Sequence, residues 1–221
     1  MVHIPTIKSD VLDRFLAAGW YRMHGTVFTT NYVNEKDPTT RVYWLRYAVN
    51  NVRVSKHKEL IKRNAAFTAI YRGLVITKEM NDLYAAYYDS IEHDCSANLQ
   101  GILGAQAKSV FDSYVIEVRN GDKLIAAGIF DKGNDSIAGI VNFYHPDYKK
   151  YSLGKYLMLL KLQYCRDNKI GWYYPGYFGP ELPKFSYKLF MDKTATEVFI
   201  PEVKKWIQFS SFPLPIAVKG C

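Results

Sequence analysis

Apolar positions change period several times along the chain, and each change marks an expected element. After Ser9, the residues Leu12, Phe15 and Leu16 recur at helical spacing, with Asp10 in the first turn and Gly19 as a natural stop. From Trp20 to Val54 the pattern alternates. Thr26-Val27-Phe28-Thr29 and Val42-Tyr43-Trp44-Leu45 read as strands, separated by a turn over Asn34–Pro38. Phe67 to Tyr71 alternates again. Thr77 can then cap a helix on which Met80, Leu83, Tyr84, Tyr87 and Ile91 share one face, and those aromatics read as core. The small and polar stretch from Cys95 to Ser109 reads as a mobile loop.

The second half is more regular. Ser113–Val118, Lys123–Phe130 and Ser136–Tyr144 read as three strands, joined by turns at Asn120-Gly121-Asp122 and at Lys132–Asp135. Ser152 can cap a helix running to Asn168, with Leu153, Leu157, Leu160 and Tyr164 on one side. A short strand, Trp172-Tyr173-Tyr174, follows and is expected to break at Pro175-Gly176. Thr196–Ile200 reads as the last strand. A strand after a helix beside an antiparallel meander predicts an α+β sheet with one crossover. The expected organisation is an N-terminal α/β part over residues 1–75, a main domain over 76–205 and a peripheral tail over 206–221.

Composition narrows the function. The 221 residues are 48% hydrophobic and 23% charged, an ordinary globular balance that excludes global disorder. No apolar run is long enough to span a membrane, and Met1–Asp10 has no signal-like apolar core. Three widely spaced cysteines without a CxxC pair exclude a zinc ribbon or a disulfide framework, and the expected compartment is the cytoplasm. No histidine has metal-like spacing, so no metal is expected. The net charge is +8, with 29 basic against 21 acidic residues. The stretches Arg53–Arg63 and Lys149–Lys169 hold 11 of those basic residues but only two acids, Glu59 and Asp167. Such clustering favours an acidic partner over evenly spread solubility charge.

The junction from Tyr144 to Tyr156 is the richest candidate site. A helix start presents unpaired N–H groups and a positive dipole end. Gly154 lets an oxygen approach the backbone, and Lys149, Lys150 and Lys155 add charge. Cys165, inside the helix, reads as a small packed residue rather than a nucleophile.

These residues bring in a family. Phe143-Tyr144-His145-Pro146-Asp147, Ser152-Leu153-Gly154-Lys155-Tyr156, Tyr174-Pro175-Gly176-Tyr177 and Lys184-Phe185-Ser186-Tyr187-Lys188 follow in order. This series resembles the C-terminal domain of the arginyl-tRNA–protein transferases, including the bacterial leucyl-tRNA–protein transferase branch. Lys62-Arg63-Asn64-Ala65 and Gly19-Trp20-Tyr21-Arg22 resemble motifs of the family's first part. Two departures stand out. The family's N-terminal cysteines have no counterpart here, and His145 replaces an acid.

The resemblance implies a GNAT-like (acyl-CoA N-acyltransferase-like) mixed sheet flanked by helices, with room for a second, smaller degenerate GNAT-like half. It implies transfer of arginine or leucine from charged tRNA to a protein's N-terminal α-amino group, marking it for degradation. The partners are then an aminoacyl-tRNA and an acceptor N-terminus, with no other cofactor and no membrane. On this reading Tyr144, Asp147 and Tyr187 are catalytic. Ser152, Leu153, Gly154, Tyr177, Lys184 and Lys188 bind substrate. Lys56, Lys58, Lys62, Arg63, Lys149, Lys150 and Lys155 bind tRNA, with Lys161, Arg166 and Lys169 as further cations for phosphates. Two other readings are an acyl-CoA-dependent N-acyltransferase and a non-catalytic tRNA- or protein-binding relative. The first wants a small residue where Tyr156 stands.

Overall fold

The computed structural model describes residues 7, 9–33, 40–91, 96–104 and 110–213, apart from the side chains of Pro183 and Lys184. The expected turn over 34–38, Cys95, Cys221 and the tail from 214 lie outside the described residues, as do residues 105–109 of the expected loop.

Twelve strands are described: β1 Tyr21–Met23, β2 Thr26–Phe28, β3 Tyr32–Val33, β4 Thr40–Arg41, β5 Tyr43–Ala48, β6 Thr68–Gly73, β7 Ser113–Asn120, β8 Lys123–Lys132, β9 Ser136–Tyr144, β10 Trp172–Phe178, β11 Thr196–Ile200 and β12 Lys205–Gln208. The helices are α1 Ser9–Ala17, α2 Lys58–Arg63, α3 Lys78–Tyr88, α4 Leu99–Leu103, α5 Leu153–Asp167 and the short α6 Pro183–Ser186. Eight strands form one sheet in the order β12-β11-β5-β10-β9-β8-β7-β6. Only β9 and β10 are parallel within it, joined by the α5 crossover, and every other pair is antiparallel. This is the GNAT-like mixed sheet. Its β5 and β6 come from residues before 75, so the sheet runs across that expected boundary.

The sheet is covered on both faces. On one side Met80, Leu83 and Tyr84 of α3 and Leu99 and Leu103 of α4 pack on Val115, Ala127, Ile129 and Phe143. On the other, Leu153, Leu157, Met158 and Leu162 of α5 pack on Ile116, Val118, Ile125 and Phe130. A fully buried aliphatic side chain contributes about 1.5–3 kcal/mol, so α5 is the main anchor of that face. Cys165 is buried among them, and burial pushes its thiol up, away from reactivity.

Helix ends depart from the expected chemistry. Thr77 caps α3 as predicted, accepting from the Met80 N–H at 3.2 Å. Ser152 stands at the start of α5 but makes no side-chain cap; it adopts the left-handed conformation, with φ +54°. The α5 C-terminus closes through Ile170 N–H to the Cys165 carbonyl (2.8 Å) and Lys169 N–H to that of Arg166 (3.2 Å). Lys169 takes the left-handed position where glycine is usual.

Three expectations about elements are corrected. β10 does not end at Tyr174 but continues through Pro175 and Gly176 to Phe178, because β5 pairs along it. β11 is not the last strand, since β12 pairs antiparallel with it. The stretch 96–104 is not all loop, because Asn98 caps α4 through the Gly101 N–H.

Candidate active site in the split between the parallel strands

β9 and β10 pair over only three positions, Trp172 with Ser136, Tyr173 with Ile137 and Tyr174 with Ala138. Beyond them both strands are irregular. Against β8, Ile129 faces Val141 while Phe130 faces Gly139, so Ile140 is an extra residue in β9. Against β5, the β10 register shifts between Tyr173 and Gly176. Pro175 has no N–H to offer a ladder, and Gly176 adopts φ +98°. Bulges at one level in both strands turn them apart.

The gap is a cavity of about 690 Å³. Aromatic residues dominate one wall. Tyr21 stacks on Trp44 with ring centroids 3.5 Å apart, and Trp44 meets Tyr177 edge-on at 5.1 Å. Tyr87 and Tyr144, 5.4 Å apart, belong to another wall. Tyr87 packs against the core of the α3 face, as expected, and also lines this cavity.

Two buried lysines line the cavity. Lys188, 8% exposed, donates to the Tyr177 carbonyl at 2.7 Å and lies among the rings of Tyr177, Phe185 and Tyr187. A side chain at Gly176 would crowd it, with Cβ only 3.3 Å from Nζ. Lys161, 1% exposed, reaches up from α5 and donates to Ile129 O and Asn142 Oδ1, both at 2.8 Å. Neither ammonium meets a carboxylate among the described residues. Burial pushes both down to about 7. The Tyr187 ring is 40% exposed, but its hydroxyl end is desolvated, which pushes it up to about 12 and keeps it protonated at neutral pH.

Arg22 also borders the cavity, but its charge is spent. It donates to Asp131 (2.9 Å), Ser113 Oγ (3.1 Å) and the Leu103 carbonyl (2.7 Å). That buried network ties β1 to β7, β8 and α4. Burial outweighs pairing on both partners, lowering Arg22 and raising Asp131.

Of the residues expected in the site, Tyr144, Ser152, Gly154, Tyr177, Tyr187 and Lys188 all line the cavity, as do Lys149 and Lys155. Leu153, the first residue of α5, is instead fully buried against the sheet. Asp147 projects to solvent beside His145, 3.5 Å away, and does not line the cavity. The Lys184 side chain lies outside the described residues. Tyr156 is core, whereas Phe185 and the buried Tyr173 border the cavity. Lys161 is a correction: it is buried in the site rather than displayed for phosphates, because its position on α5 faces the sheet. Asn142, Trp44 and Tyr21 were not anticipated in the site. Only the Gly19–Arg22 motif hinted at Tyr21.

The two basic stretches meet. Arg63 donates to the Lys150 carbonyl at 3.4 Å, and buried Asn64 bridges Leu60 and Tyr151 through their carbonyls at 2.8 and 3.1 Å. Lys58, Lys62, Arg63, Lys149, Lys150 and Lys155, all exposed, therefore share a surface that reaches the cavity mouth at Lys149 and Lys155. Lys56 is drawn aside by Asp192 at 3.1 Å, which Arg53 also pairs. Arg166 donates to the Val49 and Val52 carbonyls. Among the described residues no group of three histidine, cysteine or acidic side chains converges as a metal site. No described helix is long and apolar enough to cross a membrane.

A crossover helix between two parallel strands that part over a cleft is the arrangement of a GNAT-like fold. Residues 79–195 match the family described as "Arginine-tRNA-protein transferase, C terminus". The chain belongs to that family, the tRNA-dependent aminoacyltransferases that modify proteins. It is 24% identical over 213 residues to an aspartate/glutamate leucyltransferase of Leptospira interrogans, covering 93% of this chain and 81% of the relative. It is 25% identical to the enzyme of the same name from Campylobacter jejuni, covering 89% and 82%. Among solved structures, FemX aligns at 9% identity with a TM-score of 0.48, over 86% of this chain and 66% of that one.

Proposed function

We propose that this protein transfers leucine from leucyl-tRNA to the α-amino group of proteins that begin with aspartate or glutamate. The observation that carries this reading is the charge of the cavity wall. Four lysines border it, Lys149, Lys155, Lys161 and Lys188, beside an Arg22 already paired with Asp131, and no carboxylate lines it among the described residues. A guanidinium donor side chain would be buried there among like charges without a partner. A leucyl side chain is neutral and suits a wall of Phe28, Trp44, Ile140, Met158 and Phe185. The acceptor's acidic side chain finds in Lys188 an ammonium held out of water with no carboxylate partner among the described residues. The names of the relatives agree with both halves of the assignment.

The reaction needs little beyond placement. The acceptor amine attacks the ester carbonyl carbon, the carbonyl electron pair moves onto oxygen, and its return expels the ribose 3′-oxygen. The amine's proton ends on that oxygen, leaving a peptide bond and an uncharged tRNA. The ester is already activated, so neither ATP nor a covalent enzyme intermediate is required. An α-amino group has a pKa near 8, so much of the work is alignment and oxyanion stabilisation. The joined basic surface of α2 and the 146–151 turn leads the tRNA end to the cavity mouth, and Tyr144 and Tyr177 offer faces for the terminal base.

The test mixes the purified protein with leucyl-tRNA or arginyl-tRNA and with peptides beginning in Asp, Glu or Lys. Mass spectrometry should find leucine added to the Asp and Glu peptides. Arginine addition would overturn the donor assignment, and no product from either tRNA would overturn the transfer reading.

A further inference from the structure

Asn142 lies on β9 inside the split, where the strand has left β10, and its amide faces two different environments. On the buried side Lys161 Nζ donates to Oδ1 at 2.8 Å. A lysine ammonium offers only protons, so the atom that it holds is the amide oxygen, and Nδ2 must face the other way. There Nδ2 has one partner among the described residues, the Gly154 carbonyl, at a long 3.4 Å. The second N–H of the amide is left for the cavity, which Asn142 lines.

The support for this orientation is costly. Lys161 is 1% exposed and has no carboxylate within hydrogen-bond reach among the described residues. Methionine would fill the same volume without desolvating a cation. The neighbouring backbone is shaped to admit the pair. A Cβ at Gly128 would stand 2.8 Å from Asn142 Oδ1 and 3.2 Å from Lys161 Cε. The second acceptor of Lys161, the Ile129 carbonyl, sits at the β9 bulge, so the lysine is pinned at two points. The first turn of α5, at Gly154, adds the positive end of a helix dipole beside the amide.

We infer that Asn142 is a catalytic residue whose Nδ2–H donates to the oxyanion formed on the aminoacyl ester, and that Lys161 is the positioning residue that holds the amide in that sense. This rests on the transfer reading above. As the amine adds to the carbonyl carbon, the electron pair displaced onto oxygen is met by a donor already aimed at it. When the pair returns and the bond to the ribose 3′-oxygen breaks, the donor is released unchanged. Preorganisation matters because the amide need not turn during the reaction.

The experiment measures steady-state leucyl transfer by wild type, Asn142→Leu, Asn142→Asp, Lys161→Met and the Asn142→Leu/Lys161→Met pair, with thermal melting of each. Loss of one oxyanion donor is expected to lower kcat about 100-fold or more in both Asn142 variants, with KM for tRNA and peptide near wild type. Asn142→Asp keeps an acceptor for Lys161 and so guards against a folding defect. Lys161→Met frees the amide and should lower kcat by about tenfold, a cost of lost orientation. The pair should be no worse than Asn142→Leu alone. A folded Asn142→Leu with kcat within about threefold of wild type would overturn the inference, as would a loss confined to KM. Full multiplication of the two single effects would remove Lys161 from the positioning role. Absence of product from wild type would overturn the transfer reading, and the inference with it, whereas wild-type turnover with active Asn142 variants would overturn the inference alone.

Discussion

The same residue type does opposite work in two regions of this molecule. On the surface formed by α2 and the 146–151 turn, Lys58, Lys62, Lys149 and Lys150 stand in water, spread over a face with few acids. In the split between β9 and β10, Lys161 and Lys188 have lost nearly all of theirs. A solvated lysine interacts with a partner at long range and weakly, and salt screens it. A desolvated lysine interacts strongly but only at its own hydrogen-bond distance, and its charge becomes conditional on pH. The surface can gather a polyanion, and the cavity can recognise a single carboxylate or hold one amide still.

The contrast is broken most severely at Lys188. Lys188→Met removes the ammonium proposed to meet the acceptor's acidic side chain, and a buried charge pair that loses one member costs about 2–5 kcal/mol. The kcat/KM for Asp- and Glu-initiated peptides should fall by about 30-fold or more, while binding of tRNA, measured by filter retention, is unchanged. Equal losses for tRNA binding would place Lys188 on the donor side instead.

Next in size is the surface. Replacing Lys62, Arg63, Lys149 and Lys150 with alanine should weaken tRNA binding and reduce the slope of log K against log salt by about one for each phosphate no longer neutralised. The kcat at saturating tRNA should stay near wild type. An unchanged slope would show that these cations only solvate the face.

The smallest effect is on stability. Lys161 and Lys188 titrate near 7 in the folded chain and near 10.5 when unfolded. Between these values the unfolded chain binds more protons, so stability rises with pH from about 7 toward 10. Urea denaturation at about pH 6.5 and 9.5 should give a higher midpoint at the upper value. The difference should shrink in Lys161→Met, which has one fewer buried amine. A midpoint that is the same at both pH values would mean that the two amines remain ordinary lysines.

The legible parts of the site were local ones. Tyr144, Gly154 and Lys155 sit on one strand-to-helix junction, and Tyr177, Tyr187 and Lys188 on the next. Order and spacing along the chain were enough to bring them together. What could not be read depended on strand pairing between distant segments. Trp44 enters the cavity because β5 slots between β10 and β11 in the sheet, and Tyr21, from β1, stacks on it. Asp147 belongs to the same motif as Tyr144, yet the 3₁₀ turn over Pro146–Tyr151 rotates it outward.

By itself the amino-acid sequence determined the meander β7–β9, the α5 crossover and the two basic stretches, because alternation, turn residues and helical period act over a few residues. It also carried the family motifs in order. Only the tertiary structure decided which charges face water. A helix buries whichever side meets the sheet, so Lys161 went inside and Lys155, nearly two turns earlier, stayed out. Only the structure opened the cleft, because a bulge has meaning against a partner strand. The partners of β9 and β10 are β8 and β5, one close in sequence and the other far from it along the chain.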